Sequence, residues 1–297
     1  MIARDAPSLG LLWRGPLDSC NYACSYCPFA KRPPQRRVLD ADRAALAKFV
    51  SWVESAIAWK LQILFTPYGE GLVWPWYRNA LVALSHLAHV QQVAIQTNGS
   101  APMEFLADAD RARVALWISW HPSEIARAAF VAKIATLHAA GTRLSVGLVA
   151  APSRVTDAEA LRRELPPEVP MWLNAEKPGP RFGADDRARL CAIDSDFDLE
   201  LRRHPSRGKA CRTGHEVLSV DGAGELRRCH FVDERLGNLY ADDLASLLRP
   251  RPCPRATCEC FLGYAHLAEL GVRDSYDADG FLARLRLPSA AGDARRP

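Results

Sequence analysis

No stretch of this 297-residue chain reaches about eighteen consecutive apolar residues, so it offers no membrane-spanning helix. The N-terminus, Met1 to Gly10, mixes acidic and basic residues and lacks the apolar core of a secretory signal. Without export, the expected compartment is the reducing cytoplasm, where thiols serve as metal ligands more often than as disulfides. Lysine is scarce, six of the 38 basic residues. The arginines that replace it are scattered along the chain, as in the product of a GC-rich genome. The net charge is only +4, and no basic run is interleaved with aromatics. No RNP, zinc-finger or helix-turn-helix signature is present, so nucleic acid is not an expected partner. Histidine is missing before His86. No internal repeat appears beyond an alternation of strands and helices.

What is present is an ordinary globular composition, 48% hydrophobic and 24% charged, with nine cysteines. The length suits one large domain, or one with a smaller partner. Ser8 to Arg14 reads as a first strand. Asp40 can cap a helix to about Trp59, with Leu46, Phe49, Val50, Val53 and Ile57 at helical spacing. Leu61 to Thr66, Val93 to Gln96, Val114 to Trp120, Arg143 to Ala150 and Pro170 to Asn174 read as further strands. Helices are expected between them at Trp76 to His89, weakly at Met103 to Ala109, at Ile125 to Ala140 after a Ser123 cap and before a Gly141 stop, and at Asp157 to Glu164. This alternation implies a mostly parallel sheet. Six such units make a partial (β/α)6 TIM-like barrel, whose chemistry gathers at the C-terminal strand ends. Cys20, Glu70, Asn98, His121 and Asn174 all follow expected strands.

The rhythm changes after about Lys177. The division expected is residues 1–180 as the barrel and 181–297 as a small cysteine-rich C-terminal domain, frayed after about residue 288. Glu216 to Val220 and Glu225 to His230 read as a hairpin around Gly224. Asp242 or Asp243 can cap a short helix to Arg249, and a last helix runs from about Gly263 to Leu270.

Cys20, Cys24 and Cys27 stand at the spacing C-x3-C-x2-C directly after the first strand. Thiolates suit iron–sulfur clusters and zinc. A closed zinc site needs four ligands. Here three are local, and the next cysteine, Cys191, is far along the chain. Three thiols therefore suit a cube with one open iron better than a tetrahedral zinc.

The run from Cys20 to Pro28, with Tyr26 before the third cysteine, resembles the signature of the radical S-adenosylmethionine (radical SAM) enzymes. The resemblance covers roughly residues 8 to 180. It implies a [4Fe-4S] cluster on the catalytic Cys20, Cys24 and Cys27 that binds SAM. It further implies reductive cleavage to a 5′-deoxyadenosyl radical, hydrogen abstraction from a substrate, and an external flavodoxin- or ferredoxin-type electron donor. Tyr68, Gly69 and Glu70 stand where that family carries Gly-Gly-Glu, with Tyr68 replacing the first glycine; a carboxylate at a Gly turn suits the SAM ammonium. Tyr26, Asn98, Ser119, His121 and Asn174 are the remaining SAM contacts that the resemblance implies.

Cys211 and Cys229 frame the hairpin at C-x12-G-x4-C, which resembles the opening of the SPASM and twitch extensions of that family. Cys253, Cys258 and Cys260 follow. The resemblance implies one auxiliary [4Fe-4S] cluster, held by Cys211, Cys229 and Cys260 with either Cys258 or Cys253. Such a cluster favours oxidation or bond formation on the substrate. Only about eight residues precede the first strand, which favours a small-molecule metabolite over a ribosomal peptide. A non-catalytic redox sensor is the alternative of a different class.

Overall fold

The computed structural model describes residues 6–29, 32–179 and 181–276, with Leu282, Arg284 and Leu285. The tail after residue 288 lies outside the described residues. Strands β1 (Ser8–Arg14), β2 (Lys60–Phe65), β3 (Val90–Thr97), β4 (Val114–Trp120), β5 (Arg143–Ala150) and β6 (Met171–Ala175) alternate with helices. The helices are α1 (Arg36–Ser55), α2 (Pro75–Ser85), α3 (Arg127–Ala139) and α4 (Val155–Glu164). Between β3 and β4 the weak helix expected over 103–109 is a single 3₁₀ turn, Glu104–Ala107. After β6 come α5 (Ala184–Ile193), α6 (Phe197–Glu200), β7 (His204–Pro205), β8 (Val217–Asp221), β9 (Glu225–Arg227), β10 (Arg235–Asn238), α7 (Leu244–Leu247), β11 (Thr257–Cys258) and α8 (Phe261–Tyr264).

One nine-stranded sheet runs in the order β10-β9-β8-β1-β2-β3-β4-β5-β6. β1 to β6 are parallel neighbours in sequence order. The C-terminal hairpin extends this sheet: β8 lies parallel to β1, with Leu12 opposite Ser219. Both sheet faces are covered, which explains the nearly continuous apolar strands. Leu9, Leu11 and Trp13 face the helices, where the Trp13 ring lies 5.7 Å from Phe49 and 6.1 Å from Tyr77. Leu12, Leu64, Ala94, Trp117 and Trp172 line the inner face, packed against Phe261, Tyr264 and Leu267 from the C-terminal part. The architecture is α/β, a curled parallel sheet with helices outside.

Two helix starts differ from expectation. α1 begins four residues before Asp40, after an extended Gln35 with no side-chain cap; Asp40 instead sits inside the helix, 3.7 Å from Arg36. α3 begins at Arg127 after Ala126, not after a Ser123 cap. Its end is as expected. Gly141 has φ 76°, its N–H donates to His138 O at 2.8 Å, and Thr142 N–H reaches Leu137 O at 3.0 Å, the paired bonds of a left-handed helix stop. Asp243 caps α7 through Ala245 N–H. No described helix is long and apolar enough to cross a membrane.

Candidate active site

The cysteine loop leaves β1 and touches the turn after β2 backbone to backbone. Glu70 N–H donates to Ser19 O at 3.1 Å. A Cβ on Gly69 would stand 1.7 Å from that carbonyl oxygen, so only glycine fits there. Tyr68, in the place of a first glycine, is 41% exposed. Its ring packs 4.9 Å from Phe29 and under the Arg14 guanidinium at 4.4 Å.

Glu70 is 2% exposed. Its Oε1 accepts from Leu72 N–H at 3.0 Å and Thr97 Oγ1 at 2.7 Å, and Oε2 accepts from Asn98 N–H at 2.6 Å. Burial raises its pKa, and these donors oppose the rise. The carboxylate thus ties the ends of β2 and β3 together. A carboxylate has about four acceptor sites, so one remains for a ligand. Asn98 in turn donates its Nδ2 to Asn21 Oδ1 at 3.1 Å and toward Cys20 Sγ at 3.7 Å.

The three thiols, the Tyr68–Gly69–Glu70 turn, Asn98, Ser119 and His121 line one cleft at the C-terminal ends of β1 to β4. Nine of the expected site residues therefore converge. Tyr26 stands just behind them: its ring stacks on His121 at 6.0 Å and its hydroxyl lies 2.7 Å from His121 Nδ1. Cys24 Sγ lies 3.2 Å from the same nitrogen. Burial lowers the His121 pKa to about 4, so the ring is neutral at neutral pH. The Tyr26 hydroxyl and the Cys24 thiol share its Nδ1, and which group donates follows the tautomer of the ring. Asn174 does not join this cleft. It lines a separate cavity with Cys258 and Cys260, because β6 lies at the far edge of the sheet.

Arg154 was not expected. It follows β5, its guanidinium covers the Tyr26 ring at 4.3 Å, and it pairs with Glu176 at 2.8 Å. Its place after a strand end is the signal that could have marked it. Tyr22, edge-on to His121 at 5.8 Å, and Gln96 in the cleft wall carried no such signal.

The donor set bears on what it can hold. Burial pushes Cys20 up to about 11 and raises Cys24 as well. The protein alone therefore favours neutral thiols, and a thiolate here requires a cation beside it. Among the described residues, no three His, Cys, Asp or Glu side chains converge on a single-ion site. Thiolates on a cluster each bind a different iron and need not meet at one point, so the loop fits a cluster better than zinc.

The second thiol set divides unevenly. Cys229 is raised by burial first, and then by its neighbours Cys211 and Cys253. Cys258 is pushed up to about 12, by burial first and then by Cys229, Cys260 and Cys253. Cys260 is pushed up to about 11 by burial and then by Glu200. Main-chain bonds tie Cys253 to the segment just before Cys211: Gly208 N–H to Cys253 O at 2.8 Å and Cys253 N–H to Lys209 O at 3.2 Å. Cys191 faces Asp198 at 3.6 Å, apart from the set.

No protein-family model matches the chain, and comparison with curated proteins gives no match. Solved structures do share its fold. A hexahistidine-tagged anSMEcpe with bound AdoMet superposes at a TM-score of 0.51 with 14% identity, over 94% of this chain and 88% of that one. Native anSMEcpe with bound AdoMet gives 0.52 at 13% identity, over 93% and 88%. Streptococcus suis SuiB bound to the precursor peptide SuiA gives 0.50 at 12% identity, over 81% of this chain and 64% of that one. The chain has the α/β fold of these proteins.

Proposed function

We propose that this chain is a radical SAM enzyme. The observation that carries the reading is the single cleft in which Cys20, Cys24 and Cys27 meet the Gly69–Glu70 turn, Asn98, Ser119 and His121. Cys20, Cys24 and Cys27 would hold a [4Fe-4S] cluster, which when bound supplies an electron that cleaves SAM to methionine and a hydrogen-abstracting 5′-deoxyadenosyl radical. The chain's own residues have definite tasks. Gly69 lets the turn after β2 approach the cysteine loop. Glu70 fixes that turn to β3 and offers its remaining lone pair to an ammonium. Tyr26, His121 and Arg154 form a stacked wall behind Cys24.

Cys211, Cys229 and Cys260 would hold the second cluster in this reading with either Cys258 or Cys253; Cys229, Cys260 and Cys253 all neighbour Cys258. An auxiliary cluster there would accept an electron from the substrate, which favours net oxidation or bond formation. A one-electron donor of the flavodoxin or ferredoxin type would supply the first cluster. The fold shared with AdoMet-bound anSMEcpe supports the reading.

Anaerobic reconstitution tests it. The expected product is a brown protein with roughly eight irons per chain, which releases 5′-deoxyadenosine with SAM and a strong reductant. Uptake of zinc alone overturns the reading. A full complement of iron without SAM cleavage favours a redox sensor instead.

A further inference from the structure

β6 is one edge of the sheet. Along a strand, backbone groups alternate in direction. Pro170 O and Glu176 N–H bond to β5, so the backbone groups of Leu173 and Ala175 turn outward. Leu173 N–H is taken by Asp194 Oδ2 at 2.8 Å. Ala175 instead opens into two adjoining cavities, of about 700 and 350 Å³, that share Ala175, Lys177, Glu200 and Glu259. The inner cavity also reaches Asn174, whose buried Oδ1 has no hydrogen-bond partner. That oxygen needs an N–H donor. A free strand rung and an orphaned acceptor one residue away suit an extended peptide backbone.

The charge is strung out along the same path. Lys177, Arg181, Arg187, Arg202, Arg203 and Arg255 line the two cavities beside Glu176, Glu200 and Glu259; with Asp198, which pairs with Arg187 and Arg202, six cations face four carboxylates. A small anion needs cations that converge. Cations distributed along an open groove favour a long ligand with repeated negative charge.

We propose that this edge is a docking groove for an extended acidic polypeptide. The peptide adds to β6 as a strand at Ala175 and leads inward past Asn174 to the barrel mouth. The proposal takes from the preceding reading only that chemistry occurs at that mouth, and it names the substrate class as peptide rather than small metabolite.

The test is fluorescence anisotropy with the anaerobically reconstituted full chain. The probe is a fluorescein-labelled octapeptide of alternating glutamate and valine. Saturable binding is expected, weakened about tenfold or more by Arg202→Glu with Arg203→Glu, and weakened by salt. These two side chains are 61% and 78% exposed, in surface ion pairs, so their reversal leaves the fold intact. Ala175→Pro, which removes the N–H, should lose binding at an unchanged melting temperature. A lysine-for-glutamate peptide should not bind. Equal affinity for both peptides, an unaltered affinity in the charge-reversed variant, or no binding overturns the groove. A chain that takes up no iron but binds the probe overturns the cluster reading alone. A loaded chain that cleaves SAM and ignores the probe overturns the groove alone.

Discussion

A Cβ on Gly69 would meet the Ser19 carbonyl oxygen at 1.7 Å and the Ser19 carbonyl carbon at 2.5 Å. Backbone cannot yield as a flexible side chain does, so Gly69→Ala must push the two loops apart. The expected cost is about 1–3 kcal/mol in a denaturant melt, with loss of SAM binding measured by equilibrium dialysis; a variant that binds SAM as wild type shows the contact to be dispensable. The glycine was legible from its place before Glu70. The choice among late cysteines was not, because Cys253 is tied to Gly208 and Lys209 by main-chain bonds that no spacing discloses. Cys260 stands at the N-terminal boundary of α8 without a side-chain cap bond, and it neighbours Cys258. Of Cys253→Ala and Cys258→Ala, the one that removes the fourth ligand should lose roughly half of the reconstituted iron while the other keeps it all. Iron and sulfide counts decide, and a full complement of iron in both variants would remove both residues from the ligand set.

Elements were read best where burial dictates them. β1, β4 and β5 fall where their apolar runs place them. Helix starts were read less well, since α1 and α3 begin without a side-chain cap and packing sets their ends. Asp42 is the main polar tie of α1. Its Oδ1 accepts from Leu17 N–H at 3.1 Å and from the Tyr77 hydroxyl at 3.2 Å, and its Oδ2 accepts from Trp76 Nε1 at 2.8 Å. It joins α1 to α2 and to the cysteine loop. Burial raises its carboxyl above the ordinary 3.8, against those three donors. Between 3.8 and the raised value, the folded chain keeps a proton that the unfolded chain has lost. Stability from this group is thus full below that window and falls as pH rises through it. Asp42→Asn, neutral throughout, should lose less stability than wild type as pH is raised from about 3 to about 7 in urea melts. Parallel curves would mean that Asp42 is not the titrating group.

At the scale of the molecule, the C-terminal part does more than hold thiols. Its hairpin extends the sheet beyond β1, and its later residues fill the barrel. Arg284 is 3% exposed. Its guanidinium lies 3.4 Å from the Phe261 ring centroid, 4.6 Å from that of Trp172 and 4.8 Å from that of Trp117. Its partner is Glu200 at 3.4 Å, which also accepts from the Tyr264 hydroxyl at 2.7 Å. None of this was legible, because the charge pair joins segments 84 residues apart inside an aromatic cage. The two ends of the pair are not equivalent. Glu200 has a second cation, Lys177 at 3.4 Å, whose side chain is 38% exposed and can return to water. Arg284 has no such exit. Glu200→Ala strands a buried guanidinium and should cost about 3–5 kcal/mol. Arg284→Ala leaves Glu200 with Lys177 and Tyr264, so its electrostatic cost is smaller. Removing both should cost less than the sum of the two single changes, because no charge is then left unpaired. Denaturation midpoints of the four chains measure the coupling, and strict additivity would show that the pair does not hold the C-terminal part in the barrel.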